Sequence, residues 1–144
     1  RLSANVGTRF PAHATSMGKV LLAFQSEALL SRYFQTSSLQ RFTEKTVCTE
    51  EGLRARFADI RSKGWDSALD ELDYGVVSLA VPVFDRERRV ICAINCSTST
   101  TRISQDDLIK TRLPLLQTAA REIQAALQRN PYLAHALAAP APMG

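Results

Sequence analysis

The chain has 144 residues, of which 45% are apolar, enough to bury the core of one domain. Its 18 Lys and Arg residues exceed its 14 Asp and Glu residues, giving a net charge of +4. The basic residues are scattered along the sequence, which argues against direct nucleic-acid binding by these residues. We find no run of about 18 apolar residues and no cleavable leader, so we predict a cytoplasmic protein with no membrane partner.

The N-terminal quarter predicts one strand and two short helices. Alternation of Leu2, Ala4 and Val6 with polar residues predicts a strand that ends at Gly7. Because the sequence opens within this pattern and at Arg1 rather than Met, we expect it to belong to a longer chain. Thr15 or Ser16 can cap a helix, whose apolar face is formed by Met17, Val20, Leu21 and Phe24. A second short helix is predicted after Ser26.

The remaining elements are a helix, a hairpin and a long helix. Thr49 precedes a helix pattern with acidic residues in the first turn and Gly64 at the end. The apolar runs VVSLAVPVF (76–84) and RVICAINCS (89–97) are joined by a charged turn, which predicts a β-hairpin. Ser104 begins a long helix that Pro114 either kinks or restarts, and residues 131–144 are predicted to be a disordered tail. This order predicts an α+β domain over residues 1–130, built on an antiparallel sheet.

The three cysteines do not predict a disulfide framework or a metal site. Cys48, Cys92 and Cys96 are odd in number, and the sequence has no secretory signal. Cys92 and Cys96 are four residues apart, without a second cysteine pair, so we predict buried thiols and no metal or cofactor.

The predicted hairpin has one apolar face and one face of small or polar residues, because successive strand side chains point to opposite sides. The second face carries Val76, Ser78, Ala80, Pro82, Ile91, Ala93, Asn95 and Ser97. It has no charge, so we expect another element to cover it. Covering a hydroxyl or amide without a partner costs about 1–3 kcal/mol, so these groups need a neighbouring backbone, buried water or a ligand.

The start of the first predicted helix complements this face. The first backbone N–H groups of a helix lack intrahelical partners and carry the positive end of the helix dipole. The turn at Ser16, Met17 and Gly18 is therefore suited to an anion, and Gly18 has no Cβ to block approach. Packed over Ser78, it would form a carboxylate pocket with apolar walls, although each residue also has an ordinary structural interpretation as a cap, a sheet hydrogen bond or a close helix contact.

Several stretches together resemble the effector-binding domain of IclR-type transcriptional regulators. The resemblance covers about residues 5–128, and the stretches that carry it are GTRFPAHATSMGKVLLA (7–23), SKGW (62–65), DELDYGVVSLAVPVFD (70–85), RVICAINCSTSTTR (89–102) and LPLLQTAAREI (113–123). Within that family, the first and fourth stretches are most similar to regulators of protocatechuate and β-ketoadipate catabolism. The resemblance implies a GAF-like fold, a curved antiparallel sheet flanked by helices.

The resemblance also implies a function and a set of partners. It implies a small carboxylate effector, homodimers or tetramers, and DNA binding through an N-terminal winged helix-turn-helix domain absent from this sequence. Carried over by position, it assigns effector binding to Ser16, Met17, Val76, Ser78, Asn95 and Ser97.

This sequence departs from some relatives around the implied pocket. Ala68, Ser78 and Asn95 stand where some relatives have aspartate, cysteine and serine. The loss of the acid at Ala68 favours an aromatic acid or a keto-dicarboxylate over glyoxylate or pyruvate. Arg9 is a candidate partner for a second carboxylate, although a surface arginine is the alternative. Glu71 is a candidate for either ligand contact or loop structure.

Two other functions are weighed against a ligand sensor. An enzyme would need a base for Ser78 or Ser97, but neither His13 nor His135 belongs to a recognisable nucleophile motif, so we predict no enzyme. An oligomerisation module with a water-filled pocket is the third possibility.

Overall fold

The protein is built on a three-stranded antiparallel sheet with helices on both faces, in the order β1-β2-β3. A computed structural model describes residues 4–138. After a 3-10 turn at Ala12–Ala14, its elements are α1 (Ser16–Ala23), α2 (Glu27–Thr36), α3 (Glu50–Lys63), β1 (Asp66–Leu69), β2 (Val76–Phe84), β3 (Val90–Ser99), α4 (Gln105–Arg129) and α5 (Pro131–Ala138). The predicted α+β class is confirmed.

Helix starts and stops follow the predicted capping residues. The Thr15 hydroxyl accepts the Gly18 N–H at 3.1 Å, and Thr49 accepts the Gly52 N–H at 3.0 Å. Ser26 and Ser104 cap α2 and α4 in the same way. Gly64 ends α3 in the left-handed conformation, with φ of 85°, which glycine adopts without steric cost.

The two faces of β2 pack against different helices and so divide the core into two clusters. Val77, Leu79, Val81 and Val83 are fully buried against α4. Ala80, on the opposite face, joins the cluster formed by α1, α2 and α3. The predicted apolar face of the hairpin is thus covered by α4, and the small and polar face turns toward α1.

The hairpin has the predicted strands with a bulge near its turn. Ser78 pairs with Ser97 and Ala80 with Asn95, whereas the register shifts between Val83 and Phe84. Because Phe84 pairs with Val90, one residue of β3 is left extra at this point. Within residues 4–138, β3 is an edge strand of the sheet.

The predicted N-terminal strand is absent from residues 4–11, and Leu2 lies outside the described residues. Instead, the Thr8 N–H donates to the Asn5 carbonyl at 3.0 Å, and the Asn5 N–H donates to the Thr8 hydroxyl at 2.9 Å. Gly7 adopts a φ of 91° within this turn. A local turn therefore replaces the strand that alternation predicted, because side-chain to backbone hydrogen bonds compete with sheet pairing.

Three further differences concern the rest of the chain. Strand β1 lies within an acidic stretch that predicted no element. Pro114 lies inside α4, which runs on without interruption. The predicted disordered tail is wrong for Pro131–Ala138, which form α5, and residues 139–144 lie outside the described part. No helix within residues 4–138 is both long and apolar enough to cross a membrane.

Candidate functional site

A cavity of about 360 Å³ lies between the start of α1 and the small-residue face of the sheet. Its walls include seven of the nine residues predicted to bind an effector, namely Ser16, Met17, Glu71, Val76, Ser78, Asn95 and Ser97. The helix start and the sheet face, which were predicted to lie together, therefore enclose a cavity. Its volume is in the range of ordinary small-molecule sites.

The cavity is anchored by a hydrogen bond between the helix and the sheet. The Ser16 hydroxyl donates to the Ser78 hydroxyl at 2.8 Å, and Ser16 is buried. Ser97 pairs with Ser78 across β2 and β3, so it lies beside this bond on the same face. Asn95 and Ser97 are exposed, so the cavity opens to solvent over β3.

The N-terminus of α1 supplies hydrogen-bond donors at the cavity. Thr15 caps the helix by accepting the Gly18 N–H. Among residues 4–138, the backbone N–H groups of Ser16 and Met17 have no acceptor. These groups carry the positive end of the helix dipole, which favours a bound carboxylate.

Two predicted site residues, Gly18 and Arg9, do not line the cavity. A Cβ on Gly18 would lie 2.3 Å from the Cα and carbonyl oxygen of Ala12, so glycine is required by the close approach of the 3-10 turn to α1. Arg9 is exposed. These positions fit the structural interpretation of each residue, close packing for Gly18 and a surface charge for Arg9, and their roles in effector binding stay predictions.

Behind the cavity lies a buried cluster of Lys19, Arg56, Asp66 and Glu71, which we call the charge quartet. Lys19 Nζ is fully buried and lies 2.7 Å from Glu71 Oε1 and 3.5 Å from Asp66 Oδ2. Arg56 donates to Asp66 Oδ1 at 2.9 Å and to Glu71 Oε2 at 3.2 Å. Two positive and two negative groups from four segments of the chain thus compensate one another, with Arg56 25% exposed and the other three buried.

Burial and ion pairing have opposite effects on the pKa values of Asp66 and Arg56 in the charge quartet. Burial raises the pKa of Asp66, and the neighbouring charges of Lys19 and Arg56 oppose that rise. Burial alone would lower the pKa of Arg56, but the carboxylates of Asp66 and Glu71 outweigh it and raise that pKa.

Sequence analysis missed Lys19 and the apolar walls of the cavity. Lys19 follows Ser16 by three positions and precedes Ala23 by four, so helical spacing places it on the buried face of α1. A lysine on a buried face needs a carboxylate partner, and the acidic stretch after α3 was the available signal. Phe10 and Leu72, in loops without periodicity, also line the cavity.

Among the residues that the structure describes, the groups needed for nucleophilic catalysis are not assembled at this cavity. His13 is buried, and its Nε2 lies 2.7 Å from the Gln40 carbonyl oxygen. Burial raises the pKa of the Cys92 thiol, which disfavours a reactive thiolate. Cys92 and Cys96 both pack against the hydrophobic cluster formed by β2 and α4. Among residues 4–138, no three His, Cys, Asp or Glu side chains are grouped for a metal ion.

Comparison with known proteins identifies the family. The family described as "Bacterial transcriptional regulator IclR C-terminal" matches residues 1–125 of this chain. The chain belongs to the IclR family. It corresponds to the C-terminal part of these regulators, as the resemblance in the sequence implied.

Two curated relatives from Acinetobacter baylyi are similar to this IclR-family domain. The Pca operon regulatory protein is 37% identical over 120 residues, which cover 83% of this chain and 43% of the relative. The p-hydroxybenzoate hydroxylase transcriptional activator is 32% identical over 120 residues, covering 83% of this chain and 44% of that protein. The chain therefore spans less than half the length of these curated relatives.

A solved relative shares the fold. It is the inducer-binding domain of a PobR transcription factor double mutant from Acinetobacter, in complex with 3-hydroxybenzoic acid. It is 34% identical, with a TM-score of 0.78 over 82% of this chain and 69% of that chain. The GAF-like fold that the IclR resemblance implied is confirmed by this likeness.

Proposed function

We propose that this IclR-family domain senses a small carboxylic acid in the cavity between α1 and the sheet. The observation that carries the proposal is the convergence of the buried Ser16–Ser78 hydrogen bond with free donors at Ser16 and Met17. Asn95 and Ser97 add an amide and a hydroxyl at the open side. A carboxylate can accept from several of these donors at once, whereas the apolar walls accommodate a ring or short chain.

An aromatic acid is the effector class that the comparisons favour. The PobR inducer-binding domain was solved with 3-hydroxybenzoic acid, and the curated relatives are regulators of the pca operon and of p-hydroxybenzoate hydroxylase. Ala68, whose side chain is small, lines the cavity and leaves room for a ring.

The whole regulator would couple this pocket to DNA. In our proposal, a DNA-binding domain outside this chain contacts the operator, copies of the chain assemble as dimers or tetramers, and the protein works in the cytoplasm. An effector changes operator binding only as far as its affinity differs between two arrangements of the assembly. Catalysis is not part of this proposal, because the relatives above are named as regulators.

The test is a thermal-shift screen of the purified chain with 3-hydroxybenzoate, 4-hydroxybenzoate, protocatechuate, β-ketoadipate, glyoxylate and pyruvate. An acid present at about 100 times its dissociation constant should stabilise the fold by about 2.7 kcal/mol. We expect at least one hydroxybenzoate to raise the melting temperature. No shift with any of the six acids would contradict the carboxylate-sensor proposal and favour an oligomerisation module.

A double variant ties the binding to this cavity. Ser78→Ala with Ser97→Ala removes two hydroxyls without removing apolar volume, so we expect the fold to persist and the shift to disappear. Ser62→Ala, on the exposed face of α3, is the matched control and should retain the full shift. Equal affinity of the double variant and the wild type by calorimetry would exclude this cavity as the binding site.

A further inference from the structure

We infer that Glu71 restricts the effector to acids with one carboxylate, making it a specificity-determining residue. The inference rests on the proposed function, because it assumes that the cavity binds an acid. It narrows the effector class, since an aromatic monocarboxylic acid satisfies it and a dicarboxylate such as β-ketoadipate does not.

Glu71 is a fixed part of the cavity wall. It lines the cavity, yet its side chain is only 5% exposed. Lys19 holds Oε1 at 2.7 Å and Arg56 holds Oε2 at 3.2 Å. The Thr46 hydroxyl donates to the Glu71 backbone carbonyl at 2.6 Å, so the main chain is held as well. The carboxylate therefore cannot swing out of the way of a ligand.

The cations that hold Glu71 are not among the residues that line the cavity. Arg56 instead lines a separate surface depression together with Asp66 and Glu71. Among the described residues that line the cavity, Glu71 is the one charged side chain. The charge quartet is neutral overall, and Glu71 is the one member of it that lines the cavity.

This wall offers no cation to a second negative charge in the cavity. A sphere of about 360 Å³ is roughly 9 Å across, comparable with the Debye length of about 8 Å at physiological salt. The carboxylate of Glu71 therefore acts across the cavity, although Lys19 and Arg56 offset part of its charge. The hydroxyls and free N–H groups near Ser16 can compensate one carboxylate. In residues 4–138, no lysine, arginine or histidine lines the cavity to compensate a second one.

The test compares two ligands of nearly equal shape that differ in charge. Isophthalate carries two carboxylates, and 3-carbamoylbenzoate has a neutral carboxamide in place of one of them. Calorimetry of the wild-type chain at pH 7.5 should show that 3-carbamoylbenzoate or 3-hydroxybenzoate binds. The dissociation constant of isophthalate should be higher than that of 3-carbamoylbenzoate by about tenfold or more.

The Glu71→Gln variant removes the negative charge from the wall at nearly constant shape. In this variant, we expect the dissociation constant of isophthalate divided by that of 3-carbamoylbenzoate to fall toward one. Glu122→Gln, on the exposed face of α4, is the matched control and should keep the wild-type ratio. Because Glu71→Gln also unbalances the charge quartet and can impair folding, the wild-type comparison stands as a test without it.

The outcomes separate this inference from the function on which it rests. If neither 3-hydroxybenzoate nor 3-carbamoylbenzoate binds, the proposed aromatic-acid sensor fails. If isophthalate binds as well as 3-carbamoylbenzoate, or better, the sensor stands and the role of Glu71 is wrong. The role of Glu71 is also wrong if a folded Glu71→Gln variant keeps the wild-type ratio of the isophthalate and 3-carbamoylbenzoate dissociation constants.

Discussion

The side chain of Lys19 is fully buried, and within residues 4–138 its charge is balanced by Glu71 and Asp66. Arg56 shares the same two carboxylates. Removing one cation from such a cluster leaves a buried negative charge without compensation, which costs more than the pair contributes when intact. Lys19 is therefore expected to be among the most sensitive residues of α1.

We predict that Lys19→Met destabilises the fold by about 3–5 kcal/mol, because Asp66 and Glu71 then share one cation. Urea unfolding followed by circular dichroism measures the change. Lys110→Met, at an exposed position of α4, is the control and should stay within about 0.5 kcal/mol of the wild type. Equal stability of the two variants would mean that the charge quartet is not a stabilising unit.

The candidate site was predictable where it depends on local patterns. Strand alternation assigned Ser78, Asn95 and Ser97 to one face, and the cap at Thr15 located the start of α1. The charge quartet was not predictable in the same way. Its members come from α1, α3, β1 and the loop after β1, and only the tertiary fold brings those segments together.

Helix α4 crosses the sheet as one continuous element despite Pro114. Proline has no N–H to donate to the carbonyl four residues earlier, and its ring crowds that carbonyl. Helix α4 nevertheless continues, because Leu108, Leu116, Ala120 and Leu127 on both sides of Pro114 are buried against β2. Tertiary packing thus overrides a local helix breaker. Local sequence patterns do not contain this packing, so they could not distinguish a kink at Pro114 from a restart of the helix.

We predict that Pro114→Ala stabilises the protein by about 1–3 kcal/mol, because it restores a helix hydrogen bond at an exposed position. Thermal or urea unfolding measures the gain. Arg112→Ala, two residues earlier and also exposed, should change the free energy of unfolding by no more than about 0.5 kcal/mol. A destabilised Pro114→Ala variant would indicate that the proline contributes a contact or a bend the fold requires.

The hairpin strands β2 and β3 were predicted, but two other segments show where strand prediction failed. Residues 4–8 alternate as a strand does, but the Asn5 and Thr8 hydrogen bonds close a turn there. Strand β1 has only four residues, and its first, Asp66, is a buried carboxylate that belongs to the charge quartet. Short strands are set by their partners, and β1 exists because β2 lies beside it.

Five of the Lys and Arg side chains within residues 4–138 are paired with carboxylates, which reduces the cationic charge available to a nucleic acid. Lys19 and Arg56 belong to the charge quartet. On the surface, Arg54 pairs with Glu27 and Glu50, Lys63 with Asp59, and Arg89 with Asp85. The other Lys and Arg residues of the described part are scattered along the sequence, so we predict weak DNA binding by this domain alone.

We predict that the 144-residue chain binds duplex DNA without sequence preference and with a dissociation constant weaker than about 10 μM at physiological salt. Fluorescence anisotropy of two labelled duplexes of different sequence, at about 50 and 200 mM salt, measures affinity and its salt dependence. A hydroxybenzoate should leave both curves unchanged, because its cavity is built from α1 and the sheet and includes no cation from the described residues. Submicromolar binding to one duplex that persists at the higher salt would mean that this domain reads DNA itself, and the division between sensing and DNA contact would have to be abandoned.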